Sequence, residues 1–151
     1  MLDTTPFYGE SGGQIGDRGV ISATNSEKLN CLIEVENVRR INGAFVHSGV
    51  VRTGRLFLGD VVHCRVDEFA RKCAQVHHTS THLLQAALRE IVDSGISQAG
   101  SLVGFDRMRF DFHSSSPVGL EDLEKVEKLI NLWIAQGHSL LVSEMSIEDA
   151  K

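Results

Sequence analysis

Two histidines separated by three residues, His78 and His82, are the most specific chemical feature of the sequence. On a helix such residues are neighbours, about 5–6 Å apart at Cβ, so both imidazoles can reach one metal ion. A helical projection at about 100° per residue places both on the side opposite the apolar stripe. Zinc needs three or four ligands, and the sequence offers no convincing third. Two solvated surface histidines are the alternative. Thr79 stands where HExxH requires glutamate, which disfavours a metalloprotease.

A glycine-rich segment near the start is the second chemical feature, running from Thr5 to Gln14 and including Gly12-Gly13. Adjacent glycines let a backbone approach a ligand closely and expose its N–H groups. Gln14 adds a donor and an acceptor that suit a sugar hydroxyl or an ester carbonyl. No Gly-Lys-Ser/Thr follows, so the segment is not a P-loop. The alternative is a tight turn between strands.

The elements that position these residues fall into two parts, 1–66 and 67–151. The first reads as short strands separated by turn signals, which predicts a small antiparallel barrel or sandwich. Its apolar pairs are Val20-Ile21, Leu32-Ile33, Phe45-Val46 and Val61-Val62, and its turn signals are Asn25-Ser26, Asn42-Gly43, Thr53-Gly54 and Gly59-Asp60.

The second part changes to helical periodicity at Asp67, a predicted N-cap, and this first helix should end near Gly95. A hairpin is predicted over 99–112, with Met108, Phe110 and Phe112 on one face and Arg107, Arg109 and Asp111 on the other. A second amphipathic helix follows and should stop at Gly137, and Leu140, Leu141 and Val142 begin another strand. The predicted stripes are Phe69, Cys73, Val76, Ser80, Leu83, Leu84, Ala87, Leu88 and Ile91 in the first helix, and Leu120, Leu123, Val126, Ile130, Trp133 and Ile134 in the second. The class is α+β, an antiparallel sheet with helices on one face.

The composition of the chain limits the kinds of partner that it can bind. The 151 residues carry a net charge of −5, whereas strong nucleic-acid binders usually present basic surface, so an RNA contact must be local. Arg107 and Arg109, on the polar face of the hairpin, are the best local candidates for phosphate contact, and a solvated face paired with Asp111 is the alternative. No apolar run approaches the roughly 20 residues of a membrane helix, so no membrane partner is expected. Three cysteines without a CxxC pair argue against a disulfide scaffold.

Several separated motifs, in order, resemble the alanyl-tRNA synthetase family over nearly the whole chain. The segment from Leu2 to Gln14, followed by Gly16-Asp17-Arg18-Gly19, looks like its glycine-rich motif. His78-Thr79-Ser80-Thr81-His82 looks like its HxxxH zinc motif. Gln98–Val103 and Arg109–Phe112 match the following hairpin, and Glu148–Lys151 a later stretch. His77 and Ser80 depart from the usual asparagine and alanine, and neither departure removes a ligand.

The resemblance implies an editing domain that removes serine or glycine wrongly attached to alanine tRNA, with the rest of the synthetase chain as a further partner. The implied fold is a small β-barrel joined to the incomplete editing fold shared with threonyl-tRNA synthetase. His78 and His82 would be zinc ligands, a later Cys-x-x-x-His would supply two more, and Gln14 and Thr5 would line the substrate pocket. ATP would serve only the aminoacylation domain, absent here. The compartment would be the cytoplasm, or a mitochondrion or chloroplast for an organellar synthetase.

Three other interpretations stay open. The chain can be a non-catalytic tRNA-binding or docking module, which zinc content and deacylation activity would distinguish from an editor. It can be a free-standing AlaX-type editing hydrolase, which the length of the parent polypeptide would decide. A metal-dependent hydrolase of some small ester is a more distant alternative.

Overall fold

The computed structural model describes residues 2–24, 30–139, 143, 145–146 and 148–149. The elements in chain order are β1 (Gly19–Thr24), β2 (Asn30–Ile41), β3 (Ala44–Thr53), β4 (His63–Val66), α1 (Glu68–Ile91), β5 (Ser97–Val103), β6 (Met108–His113) and α2 (Leu120–Gln136). The expected class, α+β with antiparallel sheets, is confirmed. The strand expected from Leu140 to Val142, the turn at Asn25-Ser26 and part of the Glu148–Lys151 motif lie outside the described residues. In the part of the chain that is described, no helix is both long and apolar enough to cross a bilayer.

The first four strands form one antiparallel sheet in the order β3-β2-β1-β4. The core on the inner face of this sheet consists of Phe7, Ile21, Val35 and Val38. The predicted barrel is wrong for the described residues, because the edge strands β3 and β4 are not paired with each other and the sheet stays open. Closure needs every strand to have two neighbours, whereas β4 is only four residues long and pairs with β1 alone. The apolar pair Val61-Val62 lies just before β4, which begins at His63.

Helix α1 begins where the sequence predicts, because the Asp67 side chain accepts a hydrogen bond from the backbone N–H of Ala70 at 3.0 Å. It ends at Ile91, one turn before the expected Gly95. Its first half buries alanines rather than the predicted stripe. Ala70 and Ala74 are about 1% exposed, whereas Phe69 and Val76 are 77% and 63% exposed.

The hairpin and the two helices share the second core. Strands β5 and β6 pair antiparallel, joined by a turn in which Gly104 N–H donates to Arg107 O at 2.8 Å. The alternation of β6 is as predicted, since Phe110 and Phe112 pack under the helices while Arg109 is exposed. The buried centre of this core consists of Ala87, Leu88, Ile96 and Val126. Helix α2 ends at Gly137, whose φ of 63° is the left-handed C-cap that the sequence predicts. Leu120 and Ile134 of its predicted stripe are exposed.

Residues 8–17, here called the glycine-rich strap, cross from one sheet to the other. Glu10 N–H donates to Val38 O of β2 at 2.8 Å, and Ile15 N–H donates to Val103 O of β5 at 3.1 Å. Val103 N–H donates in return to Gly13 O at 2.8 Å. The strap therefore adds main-chain hydrogen bonds to both sheets and holds the two parts of the chain together.

Candidate functional site

Gln14, His78 and His82 form one constellation between the strap and helix α1. Gln14 Oε1 lies 2.8 Å from His78 Nδ1. The His78 and His82 rings are stacked, with centroids 5.2 Å apart and planes 27° apart. Gln14 is 7% exposed, His78 is half-buried and His82 is exposed. Two imidazoles thus lie side by side at the surface, and the inner one is hydrogen-bonded to a buried amide.

The tight turn before Gln14 depends on glycine. Gly12 and Gly13 have φ of 58° and 80°, a conformation that L side chains rarely adopt. Ser11 and Gln14 close the turn with reciprocal main-chain hydrogen bonds of 3.0 and 3.1 Å. A Cβ on Gly13 would come within 2.4 Å of Ser101 Oγ, so the missing side chain also lets the strap approach β5. The backbone of Gln14 is therefore fixed on the edge of the hairpin.

The strap is anchored to α1 by a buried ion pair that sequence reasoning missed. Asp17 is 2% exposed, and its carboxylate pairs with Arg71. The same carboxylate accepts a hydrogen bond from Tyr8 N–H at 2.6 Å, and Arg71 also donates to Pro6 O at 2.7 Å. Asp17 stands inside the glycine-rich motif, but no local pattern connects it with a residue 54 positions later.

Thr5 lies against a different histidine. Its hydroxyl is 2.8 Å from His47 Nε2, and the His47 ring meets the Phe7 ring edge-on at 5.4 Å. Burial lowers the pKa of His47 below its usual 6.5, so this imidazole is kept neutral near physiological pH. None of the hydrogen bonds described for Thr5 reaches the group formed by Gln14, His78 and His82. The structure brings Gln14 and the histidine pair together and gives Thr5 a partner of its own.

His77 and Thr81 connect α1 with the hairpin on the side behind the pair. His77 Nδ1 lies 2.9 Å from Gly104 O, at the hairpin turn. Thr81, 4% exposed, donates to His77 O at 2.9 Å. His77 is thus a packing residue of the interface between helix and hairpin, as its place beside the predicted stripe indicates. The His78 side chain on α1 is turned toward the strap, whereas His82 is exposed beside it.

Arg107 and Arg109 stand on the exposed side of the hairpin. Arg109 Nε lies 3.0 Å from Asp111, and the Arg109 side chain is 65% exposed. Arg107 is 74% exposed, and its nearest carboxylate, on Asp106, is 4.0 Å away. Both guanidinium groups can therefore reach an external anion. The ion pair of Arg109 with Asp111 is also what we expect if this side of the hairpin is simply a solvated surface.

His78 and His82 offer two imidazole nitrogens, a type of ligand that suits zinc, at a spacing that lets both reach one ion. Residues 2–24 and 30–139 contain no cluster of three or more histidine, cysteine, aspartate or glutamate side chains able to hold a metal ion. The cysteines Cys31, Cys64 and Cys73 are free, and burial raises the pKa of Cys64. With their rings side by side, 5.2 Å apart between centroids, the two histidines fit a zinc ion as half of a ligand set.

Comparison with known proteins gives a consistent result. Residues 1–70 match the family described as class II (A) tRNA synthetases. The chain is 64% identical over its whole length to an alanine–tRNA ligase of Prochlorococcus marinus, of which it covers 17%. It is 61% identical over 150 residues, 99% of the chain, to the enzyme of a second strain, again covering 17%. An alanine–tRNA ligase of a Synechococcus species is 58% identical over the whole chain, which covers 17% of it. The chain thus spans about a sixth of the length of these relatives.

Proposed function

We propose that the chain is a segment of an alanine–tRNA ligase and carries part of an editing site, which hydrolyses alanine tRNA wrongly charged with serine or glycine. The observation that supports this most is the constellation of Gln14, His78 and His82. A buried amide on a fixed glycine turn contacts His78, whose ring is stacked on that of His82, at a surface that a large substrate can reach. The high identity to alanine–tRNA ligases supports the parent protein.

His78 and His82 would hold a zinc ion, with the remaining ligands supplied from beyond the described residues by a Cys-x-x-x-His. When bound, zinc supplies Lewis acidity and the means to activate water at neutral pH. The chain's own contribution is the fixed position of both imidazoles on α1. His77 holds that helix against the hairpin turn, since its Nδ1 lies 2.9 Å from Gly104 O, and the Thr81 hydroxyl lies 3.5 Å from Met108 Sδ of β6.

The reaction is hydrolysis of the ester between the amino acid and the terminal ribose. Water oxygen bonds to the carbonyl carbon, the bond from that carbon to the ribose oxygen breaks, and the ribose oxygen takes a proton. The products are the free amino acid and uncharged tRNA. Serine presents a hydroxyl that alanine lacks, so a site with polar groups such as those of Gln14 or Thr5 can prefer it.

Arg107 and Arg109 are proposed contacts for tRNA phosphates, since both are more than 60% exposed on the hairpin. Formation of alanyl-tRNA with ATP is proposed for a different part of the parent protein. The relatives are about six times as long as this chain, which leaves room for such a domain. The cytoplasm is the proposed compartment, with an organelle as the alternative.

The test is deacylation of serine-charged alanine tRNA by the complete polypeptide encoded by the gene. His78→Ala should lose most of this hydrolysis, whereas His138→Ala, an exposed histidine after α2, should keep it. Alanine-charged tRNA should be spared by both proteins. Aminoacylation with alanine should also persist, which shows that the variant is folded. Unchanged deacylation in a zinc-loaded His78→Ala protein would refute the proposal.

A non-catalytic tRNA-docking segment is the second candidate. The observation that favours it is that Arg107 and Arg109 are both exposed on the hairpin, where they can contact phosphates without any metal. It predicts tRNA binding that is unaffected by zinc removal, and no deacylation by the complete polypeptide. Zinc analysis of the purified protein together with the deacylation assay distinguishes the two functions.

A further inference from the structure

The hydrogen bond between Gln14 and His78 has a defined direction. The atom of Gln14 that faces the ring is Oε1, an oxygen that accepts hydrogen bonds and cannot donate them. At 2.8 Å, Nδ1 of His78 must therefore carry the hydrogen and donate it. A neutral imidazole has one N–H, so the lone pair is then on Nε2.

The acceptor is held by the main chain rather than by a flexible loop. Gln14 N–H donates to Ser11 O, and Gln14 O accepts from Ser11 N–H. On either side of it, Gly13 O and Ile15 N–H are both hydrogen-bonded to Val103 of β5. Because Gln14 is also 7% exposed, water competes weakly for its amide oxygen.

We propose that Gln14 is a positioning residue that selects the tautomer of His78. It keeps the hydrogen on Nδ1 and leaves Nε2 as the free donor for a divalent cation. A ligating histidine in proteins commonly donates its other ring N–H to such a partner, which fixes the ring orientation and raises its basicity. The relevance of this role to ester hydrolysis rests on the proposed function, but the tautomer itself does not.

The same geometry restricts what Gln14 can offer a substrate. Its oxygen is occupied by His78, which leaves the two amide N–H groups. A serine hydroxyl or an ester carbonyl read by Gln14 would therefore have to accept a hydrogen bond from this amide. Gln14 would favour acceptor groups through its amide nitrogen while orienting His78 through its oxygen.

The test is nitrogen NMR of the 151-residue chain labelled in its histidine rings, without metal and at a pH where the rings are neutral. His78 should be predominantly in the Nδ1–H form. Gln14→Met removes the acceptor at nearly constant size and should shift His78 toward a mixture of both forms. Gln14→Glu restores an acceptor oxygen and should return the ring to Nδ1–H. His138, exposed after α2, should not change and is the internal reference.

Titration with Zn²⁺ alone gives the second measurement. Gln14→Met should require about 10–100-fold more Zn²⁺ to shift the His78 signals, and Gln14→Glu should reverse most of that loss. An Nε2–H tautomer in the native protein, or an unchanged tautomer in Gln14→Met, would overturn the proposal. If Gln14→Met does not fold, the native and Gln14→Glu spectra still decide it. A selected Nδ1–H tautomer without deacylation would leave this inference standing and remove the proposed function.

Discussion

The Asp17→Ala substitution should destabilise the protein by about 3 kcal/mol. The Asp17 carboxylate is 2% exposed and accepts hydrogen bonds from Tyr8 N–H and from Arg71. Each hydrogen bond to a charged group contributes about 1.5–3 kcal/mol, and removing one partner of a buried ion pair costs about 3–5 kcal/mol. The Arg71 side chain is 32% exposed and recovers part of its hydration, so the lower end of that range applies.

Glu10→Ala is the matched control, because Glu10 lies in the same strap and also pairs with an arginine. That pair, with Arg39 at 3.2 Å, is exposed at 46% and 64%, and such pairs contribute about 0–1 kcal/mol. Urea unfolding followed by circular dichroism measures both variants. At the usual scaling for a domain of this size, Asp17→Ala should also lower the melting temperature by about 6–12 °C.

A double-mutant cycle with Arg71→Ala identifies the source of the loss. If the ion pair carries it, the effects of Asp17→Ala and Arg71→Ala should be strongly non-additive. The reasoning is refuted if Asp17→Ala and Glu10→Ala have the same free energy of unfolding within about 0.5 kcal/mol. Additive single effects would show that Asp17 acts through the Tyr8 amide alone.

Three further predictions concern the helix start, the turn and the hairpin. The hydrogen bond from the backbone N–H of Ala70 lowers the pKa of Asp67 below its ordinary 3.8. The ionised Asp67 therefore stabilises the folded protein fully above pH 3.8, and this stabilisation is lost as the pH falls through the lower pKa of the folded state. Asp67→Asn, which keeps the capping oxygen without the charge, should therefore lose less stability than the native protein in urea titrations below pH 3.8. Gly12→Ala and Gly13→Ala both place a side chain in the left-handed conformation, which costs about 1–2 kcal/mol. Only at Gly13 would the new Cβ also come within 2.4 Å of Ser101 Oγ, so Gly13→Ala should be about 1–3 kcal/mol less stable than Gly12→Ala. Equal stabilities of the two variants would contradict the docking of the strap on β5. If Arg107 and Arg109 contact tRNA phosphates, charge reversal at either should reduce the slope of log affinity against log salt by about 1, and an unchanged slope would exclude that residue.

Local signals predicted the elements well because their causes are local. Asp67 caps the helix that follows it, and Gly137 ends the second helix in the left-handed conformation. The hairpin turn near Gly104 and the inward face of β6 also follow from neighbouring residues. Each depends on chemistry within a few positions along the chain, which the sequence displays directly.

The prediction of which face of α1 is buried was partly wrong, and the reason is physical. A helical projection weights side chains by hydrophobicity, and so selects Phe69 and Val76. The first half of the helix instead buries Ala70 and Ala74, about 1% exposed each. Small side chains let a helix approach its neighbours closely, and the projection has no term for that distance. The open sheet has a similar cause, since closure depends on a pairing between β3 and β4 that no local pattern encodes.

The sequence pointed to residues that lie together in the candidate site, but it did not show which of them contact each other. The spacing of His78 and His82 indicates a shared ligand, and the resemblance adds Gln14 to the same site. The contact from Gln14 to His78 spans 64 positions, and that from Asp17 to Arg71 spans 54. Long-range contacts of this kind depend on how the strap lies between two sheets, which only the folded chain reveals.

The course of the strap determines where this protein can be divided. A cut at 66/67, where the sequence changes from strand patterns to helical periodicity, would leave Gln14 on one piece and His78 on the other. It would also uncover the edge of β5 at Val103, whose main-chain groups are paired with the strap. Unpaired strand edges are templates for pairing with another chain. The strap therefore covers this edge of the hairpin, and recombination that conserves the site must carry the strap and α1 as one inherited unit.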